Sequence, residues 1–230
     1  MRILAFDTST HWLSVACGSG EQWQARAERA GEAHSQRLLP LVDAALADAG
    51  WTLADLDGIA FGAGPGSFTG VRIACGVAQG LALGADLPVV GIPTLAALAQ
   101  AAWTAHGARR VFACLDARMR EVYIAAYARN EAGWEEILAP AVLRPGDVEL
   151  PAGGPWRGVG DGFSAWPELA ANPALAGVDA DAAPDAVAVG QLALPVLQAG
   201  EGVAAAQARP LYVRHRIALT SSERAAGLRL

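Results

Sequence analysis

Apolar and polar positions alternate in three short runs at the start of the chain, residues 3–7, 13–18 and 22–27, parted by turn-forming residues. A period of two with tight connections predicts an antiparallel meander of three strands. The period then lengthens. Leu38, Leu39, Val42, Ala45 and Leu46 recur at helical spacing and predict a helix over 33–49 that Gly50 stops. A short apolar run at 58–61 predicts a fourth strand feeding a glycine-rich loop. A helix over 69–85, a buried strand at 88–91 and a helix over 94–106 opened by Pro93 complete the first half.

The second half opens the same way. Strands are predicted at 111–115, 121–127 and 135–139, and Asp116 leaves the first of them as Asp7 leaves the first strand of the chain. Two halves that begin alike predict a duplicated α/β fold. The stretch 140–155 is rich in proline and glycine, with a short helical turn near 145–149. A strand-to-glycine turn follows at 159–163, around Gly160 and Asp161. Residues 172–184 read as irregular, 185–198 as a helix ended by Gly200, and 208–214 as a closing segment. The division expected is an N-terminal lobe over 1–106, a C-terminal lobe over 107–217 and a flexible tail over 218–230.

The stretch from Gly62 to Gly84 sets the functional question. Gly62, Gly64, Gly66 and Gly70 surround Pro65, and Ser67 or Thr69 is placed to cap the helix that follows. A strand, a glycine loop and a helix start together offer free N–H groups to an anion. The same glycines also permit a sharp turn and close packing. The loop is neither GxGxxG nor a P-loop, since the chain has no lysine. In the helix, Gly76, Gly80 and Gly84 recur at every fourth position, each costing about 1 kcal/mol relative to alanine. A stripe of this kind predicts a close approach, either by a partner helix or by the protein's own sheet.

Composition narrows the chemistry. The 230 residues carry 17 basic groups, all arginine, and 23 acidic ones, for a net charge of −6. Schiff-base and lysine-base chemistry are excluded. Strong nucleic-acid binding by the chain alone is not expected, although a local arginine cluster can still assist a partner. No run of about 18 uninterrupted apolar residues is visible, and no signal-peptide core, so a cytoplasmic protein without a membrane segment is expected. Cys17, Cys75 and Cys114 are far apart in apolar surroundings and read as buried small hydrophobes. His11, His34, His106 and His215 show no metal-ligand spacing, and no serine sits in a nucleophile elbow. The candidate carboxylates are Asp7, Asp116, Glu121 and Asp161, with Arg118 and Glu121 placed to pair across a hairpin. Asp7, Thr8, Ser9 and Thr10 could hold phosphate or hydrated magnesium, or simply satisfy a turn.

Five motifs taken together are more specific. ILAFDTST at the start, HSQRLLP at His34, GPGSFTGVRIACG at Gly64, DARMREVY at Asp116 and RPLYVR at Arg209 resemble, in order and across nearly the whole chain, the TsaB (YeaZ) family. That resemblance implies the two-lobed actin-like, sugar-kinase-like and Hsp70-like ATPase fold. It also implies a role in making threonylcarbamoyladenosine at A37 of tRNAs that read ANN codons. The implied role is that of a non-catalytic subunit. It pairs with a TsaD-like transferase, is joined by a TsaE-like ATPase, and forms a homodimer when TsaD is absent, with tRNA reached only through the complex. TsaD-like proteins hold a metal with HxxxH; here His34 is followed by Leu38, so that pair is missing. ATP and metal are expected on the partner subunits, and no cofactor is expected to bind tightly to this chain. The implied partner surface comprises His34, Arg37, Leu38 and Val42 on the first helix and Arg72, Ile73, Gly76, Val77, Gly80, Leu83 and Gly84 on the striped one. Asp7, Thr8, Ser9, Gly64, Gly66, Ser67, Asp116, Gly160 and Asp161 would line a degenerate phosphate cleft. The alternatives are an independent ATP-dependent phosphotransferase using Asp7, Thr8, Gly66 and Asp161, and a peptidase, for which no nucleophile or metal pair is present.

Overall fold

Arg2–Asp7 (β1) is buried from Ile3 onward on both faces, the pattern of a strand inside a layered sheet. It pairs antiparallel with Trp12–Ser19 (β2), which pairs antiparallel with Gln22–Arg29 (β3). His34–Ala49 (α1), Gly58–Gly64 (β4), Phe68–Ala85 (α2), Val89–Pro93 (β5) and Thr94–His106 (α3) follow. β4 runs parallel to β1 and β5 parallel to β4, giving the order β3-β2-β1-β4-β5.

The second half repeats this topology. Arg110–Asp116 (β6), Val122–Asn130 (β7) and Gly133–Leu143 (β8) form a second meander, and Trp156–Val159 (β9) joins β6 in parallel. The short helix Gly162–Ala165 (α4) precedes Leu175–Asp179 (β10), which pairs with β9, and Ala186–Gln198 (α5) comes last. The order β8-β7-β6-β9-β10 is the first sheet over again, so the duplicated α/β architecture expected from the pattern is the one observed. The computed structural model describes residues 1–214, and the tail expected at 218–230 lies outside them.

One expectation needs correction. β10 lies inside the stretch read as irregular. It is five residues long, contains Gly177, and shifts register between Leu175 and Gly177, so no alternation marks it. α2, with 18 residues, is long and apolar enough to pass for a membrane span by length and composition alone. Its Ala74, Ala78 and Ala82 nevertheless pack into the core of the first sheet.

The layers explain how the halves are joined. α1 and α2 cover one face of the first sheet, with Leu38, Val42 and Ala78 against Leu4, Phe6 and Phe61. The other face is covered by α5, from the far end of the chain, through Ala186, Val189, Ala193 and Leu197 on Ile3, Ala5 and Ala60. Gly190 makes this contact possible, because a β-carbon there would run into the Trp23 ring. In turn α3, from the first half, lays Leu95, Leu98 and Ala102 on Val111, Ala113 and Leu115 of the second sheet. α3 and α5 touch each other, so each half lends its last helix to the other half's sheet.

Candidate functional site: a cleft and an exposed striped helix

The ends of β1 and β6 open on a cleft of about 510 Å³. One wall is Ser9, Thr10 and His11 with the loop Gly66–Thr69; the other is Asp116, Ala117 and Arg118 with Asp161; and the segment Leu211–Arg214 closes it. The sequence brings these loops together for steric reasons. A β-carbon on Gly66 would strike the Ser9 carbonyl oxygen, and one on Gly70 the Thr8 carbonyl oxygen. Ser67 N–H donates to Ser9 O at 2.7 Å, and Ser67 Oγ caps α2 by accepting from Gly70 N–H at 3.2 Å. Thr8 Oγ1 donates to Gly70 O at 2.7 Å. The glycine loop is thus a close-packed joint between the β1 exit and α2.

Asp7 lies beneath this joint, 1% exposed, and does not line the cleft. Its Oδ1 accepts from Ser9 N–H at 2.8 Å and Ser9 Oγ–H at 2.7 Å, while Oδ2 is buried without a partner. Burial pushes its carboxyl up to about 6 against the opposing Ser9 bonds, and the charge of Asp185 adds to the rise. Gly62 backs directly onto that carboxylate. Asp161 Oδ1 accepts from Asp116 N–H at 2.9 Å, and burial raises its carboxyl too. Of the nine residues expected to line a phosphate cleft, Ser9, Gly66, Ser67, Asp116 and Asp161 reach the wall. Thr8 and Asp7 are buried beneath it, Gly64 sits behind it, and Gly160 packs on the Cys114 carbonyl.

The donor set does not fit a magnesium–phosphate group. Asp7 is covered, Asp116 already holds Arg118 at 3.1 Å, and among the described residues no cluster of three or more His, Cys, Asp or Glu could hold a metal ion. The pairing expected between Arg118 and Glu121 is not formed, because Glu121 is taken by Arg214 of the closing segment. Sequence reasoning missed the cleft roles of Phe68, Tyr212 and Arg214. Arg72 stacks 3.2 Å from the Phe68 ring centroid and 5.0 Å from that of Tyr212, tying the closing segment to the start of α2. The motif at Arg209 was the available signal for that segment.

The second feature is the outer face of α2. Gly76, Gly80 and Gly84 are exposed, and a β-carbon on any of them would meet nothing within 4 Å. The stripe therefore does not serve packing on the protein's own sheet. Arg72 and Leu83 are exposed beside it, Leu83 at 78%, with Ile73 and Val77 half-buried. The α1 residues differ. Leu38 and Val42 are buried in the first core, and His34 is buried with Nε2 3.2 Å from Trp12 O, so these three side chains do not reach the surface. The periodicity that marked them as an apolar face belongs to the core. Arg37 is exposed and paired with Glu28 at 2.7 Å.

The chain matches the family profile described as "TsaD: tRNA N6-adenosine threonylcarbamoyltransferase" over residues 26–208. It is 44% identical over 223 residues to the tRNA threonylcarbamoyladenosine biosynthesis protein TsaB of Escherichia coli K12, covering 95% of this chain and 96% of that protein. It is 39% identical to the Haemophilus influenzae protein of the same name, covering 94% of this chain and 95% of that one. Its fold is similar to the solved structure of YeaZ from Pseudomonas aeruginosa, with a TM-score of 0.84 at 42% identity over 92% of this chain and 99% of that one. A second structure, described as an uncharacterized protein with similarity to peptidase YEAZ from Pseudomonas aeruginosa, aligns with a TM-score of 0.87 at 42% identity over 93% of this chain and 99% of that one. With its doubled sheet topology, its motifs in order and this identity from end to end, the chain belongs to the TsaB family.

Proposed function

We propose that the chain is a non-catalytic subunit of the assembly that makes threonylcarbamoyladenosine on tRNA, and that it activates a TsaD-like transferase by pairing with it through α2. The observation that carries this reading is the outward glycine stripe of Gly76, Gly80 and Gly84, bordered by Arg72, Ile73, Val77 and Leu83. Three glycines on an exposed helix face weaken the isolated helix and do nothing for the protein's own core. They let a second helix backbone approach and gain contact along a seam. Arg37 of α1, exposed and paired with Glu28, is assigned to the same partner surface, while His34, Leu38 and Val42 are buried beneath α1. In the absence of the transferase the same seam pairs two copies of the chain. A TsaE-like ATPase completes the assembly, ATP and metal belong to the partners, and the work is cytoplasmic. The cleft is consistent with this division of labour, since Asp7 is buried beneath it, Asp116 holds Arg118 and Asp161 accepts from Asp116 N–H.

Reconstitution tests the reading. A TsaD-like transferase, a TsaE-like ATPase and the threonylcarbamoyl-adenylate synthase are incubated with tRNA, with and without this chain. Modification is expected to depend on its presence; equal rates in both mixtures would refute the proposal. Gly80→Leu is expected to stay folded and lose co-elution with the transferase, since nothing in the protein itself opposes the larger side chain.

A further inference from the structure

We propose that the end of the second sheet opposite the cleft docks the phosphate backbone of RNA, an inference that rests on the chain working within a tRNA-modifying assembly. Four arginines meet there. Arg110 starts β6 directly after Arg109, and Arg129 near the end of β7 donates its N–H to Arg109 O at 2.7 Å. Arg157 lies at the start of β9, opposite Val111. The arginines in ion pairs among the described residues are Arg2, Arg26, Arg37, Arg118 and Arg214, none of them at this end.

Indole faces take the place of carboxylates. Arg109 and Arg129 lie 5.4 and 4.9 Å from the Trp103 ring, Arg129 lies 5.5 Å from Trp134, and Arg110 lies 4.7 Å from Trp156. Gln100 fixes the arrangement: its Oε1 accepts from Trp134 Nε1–H at 2.8 Å and from Arg129 Nη1–H at 3.4 Å. An indole face orients a guanidinium without neutralising it, which leaves N–H edges for an acceptor on exposed Arg109 and half-buried Arg129, whereas the Nε–H groups of Arg110 and Arg157 are buried. Trp103 belongs to α3 and Trp156 to the opposite core, so the cationic end covers both faces of the sheet. The nearest acidic side chains are Glu131 in the β7–β8 turn and Glu135 opposite Ala128; neither is in an ion pair with an arginine among the described residues, while Glu136 lies opposite Tyr127 and Asp179 faces His106 at 3.4 Å.

In a chain of net charge −6, four arginines without ion pairs among the described residues, three of them set on indole faces, outnumber Glu131 and Glu135 at this end and create a local field opposite to that of the molecule. A phosphate backbone is the complementary surface, and guanidinium edges match phosphate oxygens. The patch is too small to bind RNA tightly alone, and it adds to the affinity of the assembly.

The test titrates unmodified ANN-reading tRNA into the reconstituted assembly at several salt concentrations, with the wild-type chain and with Arg109→Gln/Arg129→Gln. The expected result is an affinity about tenfold lower and a slope of log K against log salt reduced by about 2, one per lost phosphate contact. Arg109→Lys/Arg129→Lys restores the charge without the planar stack and is expected to restore the slope. Should the glutamine pair not fold, Arg109→Gln alone, at an exposed position, is expected to lower the slope by about 1. An unchanged slope in a folded variant overturns the proposal. So does intact tRNA affinity with weakened subunit co-elution, which would assign the patch to an acidic protein surface. The reading of function fails separately, by the wild-type chain adding nothing to modification whatever the slope.

Discussion

Asp7→Asn is expected to stabilise the protein at neutral pH relative to its behaviour in acid. The Asp7 carboxyl moves from 3.8 to about 6 on folding, which corresponds to roughly 3 kcal/mol of preference for the neutral form. Burial is the cause, and the two bonds from Ser9 only moderate it. Because the folded protein holds this proton more tightly than the unfolded chain, the penalty is complete above pH 6 and is relieved as the pH falls. By pH 4.5 about 2 kcal/mol of it has been recovered. Asparagine keeps the acceptor that faces Ser9 and carries no charge at any pH. Its amide occupies the buried position where Oδ2 has no partner, which adds a cost of about 1–3 kcal/mol that does not vary with pH. The informative quantity is therefore the difference in unfolding free energy between variant and wild type, measured by urea denaturation at pH 7.5 and at pH 4.5. It is expected to shift by about 2 kcal/mol in favour of the wild type on acidification. Asp161, whose carboxyl burial also raises, contributes equally to both proteins and cancels, and Asp185 cancels apart from its coupling to Asp7, the smallest of the causes acting on that carboxyl. A difference that stays constant between the two pH values would refute the burial argument.

Other expectations follow from the glycines and the β6–β7 turn. Gly80→Ala should stabilise the isolated protein by up to about 1 kcal/mol, since its β-carbon meets open space, whereas Gly70→Ala should cost more than about 2 kcal/mol by driving a β-carbon into the Thr8 carbonyl; melting curves of the two separate these outcomes. Arg118, Met119 and Arg120 are three consecutive left-handed residues, with φ of 60°, 53° and 62°. Met119→Gly should therefore raise the unfolding free energy by about 1 kcal/mol in denaturant titrations. Arg214→Ala removes the bond to Ala117 O and the partner of Glu121. It should lower stability by about 1–2 kcal/mol and speed proteolysis within the closing segment, read by limited digestion.

Much of this fold is written locally. The three-strand openings, α1, α2, α3 and α5 all carry their own period, and Gly50, Ser67 and Asp185 mark their ends where expected. β10 was illegible because five residues containing a glycine and a register shift carry no alternation. The α1 face shows a different limit. Amphipathicity identifies Leu38 and Val42 as facing something, and only the packed structure tells that this is their own sheet. Conversely, the α2 stripe was visible as an anomaly of composition, but its outward aim depends on which α2 residues the first core claims. Asp7 stood out by its motif, yet its burial depends on Gly62, Gly66 and Gly70 closing over it from elsewhere in the chain. The cleft aromatics Phe68 and Tyr212 are far apart in sequence and meet only through Arg72.

The exchange of α3 and α5 between the two sheets limits how this polypeptide can be divided. A cut after His106 would leave the first sheet without the helix that covers Ile3 and Ala60, and would leave α3 with its apolar face in water. Neither fragment would make a self-sufficient unit, despite the duplicated topology. Each would need the other in trans, so the obvious seam between the copies is a poor place to split or truncate the protein.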